Sequence, residues 1–217
     1  MAKLISLHEA LAFIENNAHV LGHQDCKLEH AHNRVLAQDI RAATTLPPLS
    51  VSAMDGYAVN DDGDLAQGAA LSVIGTSPAG NPFTGPIDKN QCVRIYTGGA
   101  VPPGANRVIM QENVTRVGDI ITLSEPLSPA LHIRAAGIDF HQGDRIADQG
   151  TRLDAYGLAQ IAAANIDTVT VYKRPKVALI ANGDELVKPG SELKSGQIIS
   201  SNAYALSALI KAWGAEP

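Results

Sequence analysis

The sequence predicts an α+β protein of several domains: a mixed N-terminal region with an inserted β domain, followed by the beginning of an α/β domain. Three observations predict this class. Apolar residues recur at helical spacing near the N-terminus, short apolar runs separated by turn residues fill the middle, and a strand, a loop and a helical pattern end the chain. We assign residues 1–44 and 138–172 to the N-terminal region, 45–137 to the β domain and 173–217 to the α/β domain.

The first element is a helix over about residues 7–17. Ser6 and Glu9 form a capping-box pattern, in which each side chain accepts a hydrogen bond from the backbone N–H of the other residue. Leu11 and Ile14 continue an apolar face from Leu7. Residues 33–41 read as a short extended piece that leads to Pro47 and Pro48. Since proline stops a helix, a domain crossing is expected there.

Short strands and turns are predicted across residues 45–137. Three apolar runs bounded by Gly, Pro and Asn are candidate strands, at residues 71–75, 91–96 and 107–110. The clearest hairpin joins residues 114–117 to 120–123, because Gly118-Asp119 suits a two-residue turn with positive φ.

A β-loop-α unit is predicted at the C-terminal end. Asp154 suits the N-cap of a helix that precedes a strand over residues 168–172. A buried-type strand over residues 176–180 comes next, and then a polar loop. The last helix begins at Asn202 and ends at Gly214, with an apolar face formed by Leu206, Leu209, Ile210 and Trp213. Because such a unit needs further strands beside it, we expect the chain to be an N-terminal portion of a longer protein.

Composition excludes several classes of function. The net charge of −5 argues against a general nucleic-acid surface, which depends on clustered Lys and Arg. No apolar run reaches the length of a membrane span, and the N-terminal run is too short for a signal peptide. Cys26 and Cys92 lack a partner motif and indicate neither a disulfide framework nor a thiolate metal site. We therefore expect a cytoplasmic protein without nucleic-acid or membrane partners.

Two segments combine an acid, a hydroxyl and several glycines. The first is Ser52-Ala53-Met54-Asp55-Gly56-Tyr57-Ala58-Val59, and the second begins with Thr97-Gly98-Gly99 after a predicted strand. A Thr-Gly-Gly loop can offer a hydroxyl and consecutive N–H groups to an anion. From the residues alone, an Asp-Gly pair is more often a turn in which Asp caps its own backbone. Thr97 fits an ordinary strand-ending turn as well as it fits a binding loop.

Other polar residues leave the choice between structure and function open. Asp184 and Glu185 fall in the loop after the predicted strand, where open α/β sheets place their ligand sites. Asn202 fits an N-cap as well as it fits a binding residue. Gln111-Glu112 fits a strand end equally well. Two patterns are discounted because they lack a complete ligand set, namely the His19, His23, His30 and His32 cluster and the Asp61-Asp62-Gly63-Asp64 turn.

Together with Asn182-Gly183-Asp184-Glu185-Leu186, these segments resemble the molybdopterin molybdotransferases. Enzymes of this family insert molybdate into molybdopterin in the last step of molybdenum cofactor synthesis. The resemblance is strongest over residues 52–59, is good over 97–112 and runs from about Ser6 to the last residue. It implies that residues 173–217 begin a molybdopterin-binding-type α/β domain, which the family continues and follows with a small β-barrel.

The resemblance also implies a site, its cofactor and a partner. Its catalytic residues correspond to Asp55, Thr97, Asp139 and Glu185, and its Mg²⁺ ligands to Asp55, Asp139 and Glu185. Its cofactor-binding residues correspond to Ser52, Gly98, Gly99, Arg134, Asp184 and Asn202. The implied substrates are molybdate and adenylylated molybdopterin. The implied assembly is an elongated homodimer, in which the α/β domain of one subunit faces the β domain of the other.

Several positions depart from the family pattern. Ala135 replaces a second arginine, Ile138 stands at a glutamate position, and Ala181-Asn182 replaces a Ser-Thr pair. We therefore expect Asp139 to matter less than Asp55. The departures leave two alternatives to catalysis: a relative that binds molybdopterin without converting it, and a scaffold that clusters partners. By itself, this 217-residue portion is expected to be inactive.

Overall fold

The structure, a computed structural model, describes residues 5–217. This part of the chain contains three α-helices: α1 (Leu7–Asn17), α2 (Ala155–Ala163) and α3 (Asn202–Ala212). Its fourteen strands, several of only two residues, are β1 (His23–Lys27), β2 (Ile40–Arg41), β3 (Val51–Ser52), β4 (Gly56–Val59), β5 (Ala70–Ser77), β6 (Gln91–Ile95), β7 (Arg107–Met110), β8 (Val114–Val117), β9 (Ile120–Leu123), β10 (Ile133–Arg134), β11 (Arg145–Ala147), β12 (Thr168–Tyr172), β13 (Leu186–Val187) and β14 (Ile198–Ile199). Short 3-10 turns cover Leu28–His30 and Gln111–Asn113. No helix in this range is long and apolar enough to cross a membrane.

The chain divides into two compact units. The first contains the described residues up to Ile40, together with Arg145–Ala162 and Ile166–Pro217. The second contains Arg41–Asp144 and Ala163–Asn165. The domain boundaries that the sequence predicts at residues 45, 137 and 173 stay predictions.

The first unit is built on an antiparallel pair of strands. In this pair His23 of β1 lies opposite Tyr172 of β12, and the strand predicted over residues 168–172 is confirmed. Helix α2 begins as predicted, because the Asp154 carboxylate accepts a hydrogen bond of 2.8 Å from the Gly157 N–H. Apolar side chains from the strands, the helix and the connecting segments form one core, which includes Leu36, Leu153, Ile161, Val169 and Val171.

Helix α1 has the predicted bounds and the predicted cap. The Glu9 N–H donates to the Ser6 hydroxyl at 3.2 Å, and the Ser6 N–H donates to Glu9 Oε2 at 2.7 Å. The helix buries none of its residues. Leu7, Leu11 and Ile14 are all exposed, so the apolar face that the spacing predicts is not covered by the described part of the chain.

The strand predicted over residues 176–180 is wrong. Only Lys176 forms a bridge, and the Val177 N–H donates to the Glu216 carbonyl at 2.8 Å. A strand needs a neighbouring backbone along its length, and no segment within residues 5–217 pairs with residues 178–180. Ile180 is accordingly 87% exposed rather than buried.

The last helix shows the same incomplete burial. Ile210 is buried, whereas the other members of its predicted apolar face, Leu206, Leu209 and Trp213, are exposed. The predicted end is confirmed, because Gly214 has a φ of +90° and its N–H donates to the Lys211 carbonyl at 3.0 Å. The predicted start at Asn202 is also confirmed, but Ser201 is the N-cap, so the alternative of Asn202 as the N-cap is wrong.

The second unit contains a six-stranded mixed sheet with the order β7-β4-β6-β5-β9-β8. Strands β5 and β6 run parallel, and the other neighbours are antiparallel. The three predicted strands are confirmed as β5, β6 and β7, and the hairpin as β8 and β9. Its turn residue Gly118 has a φ of +59°, as the two-residue turn requires. Two apolar clusters lie on the sheet, and their buried members include Tyr57, Val59, Cys92, Ile109, Ile121, Val93 and Ile95.

The two cysteines should differ sharply in reactivity. Both are free, but Cys26 is partly exposed whereas Cys92 is fully buried, and burial raises the pKa of the Cys92 thiol to about 12. At pH 8 the thiolate fraction of Cys92 is then roughly 10⁻⁴. We expect a thiol reagent to modify Cys26 in the native chain and both cysteines in denaturant. Rapid native labelling of a Cys26→Ser variant would contradict the burial of Cys92.

Candidate active site

The ends of β4 and β6 bring Asp55 and Thr97 into contact. Gly56 at the start of β4 lies opposite Ile95 at the end of β6, so the residues just outside these positions lie at the same edge of the sheet. There Asp55 Oδ1 accepts two hydrogen bonds, from the Thr97 N–H at 2.7 Å and from the Thr97 hydroxyl at 2.8 Å. The predicted acid and the predicted hydroxyl are therefore neighbours, although 42 residues separate them in sequence.

The contacts of Asp55 favour its ionised form. The Thr97 N–H and then the Thr97 hydroxyl lower the pKa of the carboxyl, and the nearby charge of Arg94 lowers it further. The side chain has no partner at Oδ2 among the residues that the structure describes. One oxygen is thus fixed by the protein, while the other remains available to a ligand.

Removing the Thr97 hydroxyl should raise the pKa of Asp55. We expect a higher pKa in Thr97→Val than in the native chain, whereas Thr97→Ser keeps the hydroxyl and the low value. Since the folded pKa lies below the unfolded pKa, this contact stabilises the fold at neutral pH, and its contribution is lost as pH falls through the folded value. A carboxyl NMR titration measures the shift. Equal pKa values in the Val and Ser variants would show that the hydroxyl does not act on Asp55.

The three backbone N–H groups of the Thr97-Gly98-Gly99 loop all donate to acceptors within the protein. The Gly98 N–H donates to the Ser52 carbonyl at 2.9 Å, and the Gly99 N–H donates to the Tyr96 carbonyl at 2.8 Å. The Ser52 N–H in turn donates to the Gly99 carbonyl at 2.9 Å. With the Thr97 N–H bound to Asp55, all three N–H groups have protein partners. The loop therefore holds the acid in place, and it offers no open row of donors to an anion in this structure.

Glycines 56 and 99 are required by close packing. A Cβ on Gly56 would overlap the Ile109 carbonyl oxygen of the neighbouring strand, and a Cβ on Gly99 would overlap the Ser77 carbonyl oxygen. Gly98 instead needs its conformation, with a φ of +80°. The glycines of the two segments thus allow the strands and loops around Asp55 to approach each other.

Ser52 is a buried residue that stabilises the turn before Asp55. It is 1% exposed, its hydroxyl donates to the Met54 carbonyl at 2.5 Å, and the Met54 N–H donates back to the hydroxyl at 3.2 Å. The short turn between β3 and β4 is closed by these bonds. Ser52 thereby shapes the backbone that presents Asp55.

Arg134 lies on β10, which pairs with β3, and Asp139 follows five residues later beside Leu46. Arg134 of β10 lies opposite Val51, and the Asp139 N–H donates to the Leu46 carbonyl at 3.1 Å. Both side chains are exposed, and neither has a hydrogen bond or ion pair within the described chain. Ile138 beside Asp139 is 60% exposed. The second unit thus contains an anchored acid, Asp55, and an unanchored one, Asp139.

The remaining predicted site residues belong to the first unit. Asp184 and Glu185 form an exposed turn before β13, and the Glu185 carbonyl accepts a hydrogen bond of 2.8 Å from the Ile198 N–H. Asn202 lines a cavity of about 490 Å³ together with Asn182 and apolar side chains such as Ile180 and Leu206. Two amides therefore project beside an apolar cavity, while the two acids lie on a neighbouring turn.

Sequence reasoning missed Arg94 and left Gln111 undecided. Arg94 Nη1 donates to the Gly56 carbonyl at 2.9 Å, and the Gln111 N–H donates to the Asp55 carbonyl at 3.1 Å. The sequence did contain a signal for Arg94. Arg94 and Tyr96 are two positions apart, and in extended backbone such residues have their side chains on the same face. Their link to Asp55 depends on the pairing of β4 with β6 and β7, which the local pattern does not specify.

Comparison with known proteins matches these observations. Residues 5–165 match the family model described as MoeA N-terminal region, domains I and II. A molybdopterin molybdenumtransferase of Haemophilus influenzae is 42% identical over 185 residues, which cover 85% of this chain and 46% of that protein. One from Nostoc sp. is 35% identical over 191 residues, covering 86% and 44%. The chain thus spans about half the length of these relatives.

Solved structures agree with the sequence matches. A crystal structure of the molybdopterin biosynthesis MoeA protein from Pyrococcus horikoshii has a TM-score of 0.88 at 34% identity, and the match covers 99% of this chain and 59% of that one. A second crystal structure of a molybdopterin biosynthesis MoeA protein from the same organism gives a TM-score of 0.80 at 35% identity, with 99% of this chain and 56% of that one covered. From the family match, the sequence identities and the fold, we conclude that this chain belongs to the MoeA family.

Proposed function

We propose that this chain carries part of the active site of a molybdopterin molybdenumtransferase, which inserts molybdate into molybdopterin during molybdenum cofactor biosynthesis. One observation carries the proposal: Asp55, in the segment that most resembles the family, is an ionised carboxylate anchored through one oxygen by Thr97. Relatives named for this activity support it. We also propose a cytoplasmic location.

The anchored carboxylate suits the handling of a metal ion or a proton. With Oδ1 fixed, Asp55 Oδ2 can hold a cation or accept a proton from a substrate group without first reorganising. Thr97 is therefore a positioning residue in this proposal, and Asp55 is the residue that touches the reacting groups.

The donor set fits Mg²⁺. This ion is commonly held by one or two carboxylates and completed by substrate phosphates. Asp55 and Asp139 of the second unit would supply these carboxylates. In the proposed homodimer, the partner subunit's Glu185 would add a further ligand. No cluster of three or more metal-ligating side chains occurs in residues 5–217. When bound, Mg²⁺ would neutralise charge on the phosphate of adenylylated molybdopterin.

The chemistry of several side chains suits them to bind the substrate. The exposed Arg134 guanidinium suits an anionic group of the adenylylated cofactor. Asn202 beside the apolar cavity can hydrogen-bond a polar ring, and Asp184 on the neighbouring turn can accept hydrogen bonds. In this proposal Ser52, Gly98 and Gly99 contribute by shaping the Asp55 loop.

We further propose that the protein acts as a homodimer. Helix α1 exposes Leu7, Leu11, Phe13 and Ile14, although it is well capped. Exposed apolar side chains concentrated on one element are typical of an interaction surface. Sedimentation equilibrium of the complete gene product tests this proposal, and a monomer at micromolar concentration would contradict it.

The experiment that tests the function is a molybdenum insertion assay. The complete gene product is incubated with adenylylated molybdopterin, molybdate and Mg²⁺, and cofactor formation is measured by activation of a cofactor-free molybdenum enzyme. We expect activation that depends on both molybdate and Mg²⁺. Tight binding of molybdopterin without insertion would favour the alternative of a binding protein, and absence of both would favour a scaffold.

Asp139→Asn should reduce insertion less than Asp55→Asn. The Asp139 side chain is not anchored in the described structure, and its neighbour Ile138 is apolar where the family pattern has glutamate. We expect a loss of about tenfold for Asp139→Asn, because an unanchored carboxylate contributes less to a fixed geometry. The two variants are compared in the insertion assay at saturating substrate. A greater loss for Asp139→Asn would reverse this ranking.

A further inference from the structure

Arg94 contacts two tyrosine rings close to Asp55. It stands on β6 directly opposite Tyr57 of β4, and its guanidinium carbon is 5.2 Å from the centroid of the Tyr57 ring and 4.7 Å from that of Tyr96. Both distances are within the range of cation–π attraction. Because the guanidinium is planar and held by two rings, the directions of its N–H groups are fixed.

The fixed guanidinium connects the backbone on both sides of Asp55. Nη1 donates to the Gly56 carbonyl at 2.9 Å, and Nη2 donates to Gln111 Oε1 at 2.5 Å. The backbone N–H of Gln111 donates to the carbonyl of Asp55 at 3.1 Å. Two consecutive carbonyls, those of Asp55 and Gly56, are therefore held by the Arg94–Gln111 pair.

Thr97 and the Arg94–Gln111 pair act on different parts of the same residue. Thr97 binds one carboxylate oxygen, whereas Gln111 and Arg94 bind the two main-chain carbonyls. Together they leave Oδ2 as the oxygen of Asp55 without a partner in the described chain. A residue held at backbone and side chain has little freedom to move that oxygen away from a ligand.

We propose that Arg94, fixed by Tyr57 and Tyr96 and bonded to Gln111, is a positioning residue that orients Asp55 for its reaction. This inference rests on the proposed function, because it assigns to Arg94 an effect on the acid of that same site.

A purely structural role for Arg94 makes a different prediction. If it only joined strands, its removal would weaken the sheet and reduce the amount of folded protein, while each folded molecule would keep its Asp55 geometry. If it positions Asp55, its removal changes the acid in molecules that remain folded. The test therefore needs measurements of Asp55 that are made only on molecules that remain folded.

The first readout is the Thr97 N–H in the 217-residue chain, which bonds Asp55 Oδ1 and is followed by amide NMR. We expect Arg94→Met to weaken this bond, seen as an upfield shift and faster exchange with solvent, and Gln111→Ala to weaken it less, because Gln111→Ala keeps Arg94 and the backbone N–H. Arg41→Met is the matched control, since Arg41 also donates to a glycine carbonyl of the second unit, that of Gly143, and it is not bonded to Asp55. This measurement needs no enzyme activity, so its outcome stands even if the proposed function fails.

The second readout is a double-mutant comparison in the complete gene product. We expect Arg94→Met to lower kcat for molybdate insertion about 10–100-fold, with a smaller change in KM. In an Asp55→Asn background the same substitution should cause no further loss, because Arg94 acts through Asp55. If Arg94→Met does not fold, the exposed Gln111→Ala takes its place in the same comparison. An unchanged Thr97 amide signal in the Arg94 variant, or an equal loss in both backgrounds, would overturn the proposal.

Discussion

Asp55→Asn is expected to lower the rate of molybdate insertion by about 10²–10⁴-fold in the complete gene product, the range associated with losing a positioned acid or base. The substitution keeps the size of the side chain, and an amide oxygen can still accept the hydrogen bonds of Thr97. It removes the negative charge at Oδ2 that would hold a cation or accept a proton. Steady-state kinetics of insertion and thermal unfolding, measured on the same preparation, separate chemistry from folding.

A matched control for this variant is Asp88→Asn. Asp88 is an exposed acid of the same unit, and its backbone N–H donates to Gln91 Oε1. Its substitution removes one negative charge without touching the Asp55 loop, so insertion should continue at the native rate. A native rate for Asp55→Asn, with normal unfolding, would remove Asp55 from the mechanism.

Gly56→Ala is expected to destabilise the second unit by about 3 kcal/mol, at the upper end of the cost of overpacking. The new methyl group would meet the Ile109 carbonyl oxygen, which belongs to the neighbouring strand β7 and is not the end of a flexible side chain. Strand β4 lies between β6 and β7, so it has little room to shift. Urea unfolding followed by circular dichroism measures the loss.

Gly22→Ala is the control for this second substitution. A Cβ at Gly22 would come no closer than 4.0 Å to Lys173 Nζ, so we expect a change within about 0.5 kcal/mol. Trp213, the single tryptophan, lies in the first unit, and its fluorescence follows that unit separately. If Gly56→Ala unfolds at the same urea concentration as the native chain, β4 and β7 can separate more easily than the structure indicates.

Local patterns predicted the elements whose determinants are local. The capping box of α1 lies within four residues, and the β8–β9 hairpin depends on a single two-residue turn at Gly118. The segment at residues 176–180 failed for the opposite reason. Its apolar run matches a buried strand, but a strand also needs a partner, and only Glu216 supplies one in the described chain. An apolar run therefore predicts a tendency to be buried, and pairing decides whether a strand forms.

The site was predicted as a set of residue types, and its internal roles were not. The resemblance of residues 52–59 and 97–112 drew attention to Asp55, Thr97 and the glycines. It did not show that Thr97 binds Asp55, that Gly98 and Gly99 have bonded N–H groups, or that Gly56 is needed by β7. Except for the Gly99 N–H, which bonds the nearby Tyr96 carbonyl, these facts depend on contacts between residues about 40 or more apart, which a local motif does not specify.

The order of strands in the sheet has a consequence for folding. Strands β8 and β9 are adjacent in sequence and can pair early, whereas β4 pairs with β6 and β7, which are synthesised more than 30 residues later. The Thr97 bond to Asp55 therefore cannot form until long loops have closed, a step with a large entropy cost. A molecule that has completed only its local hairpin lacks the Thr97 bonds that lower the pKa of Asp55, so the acidity of this one carboxyl reports whether β4 and β6 have come together.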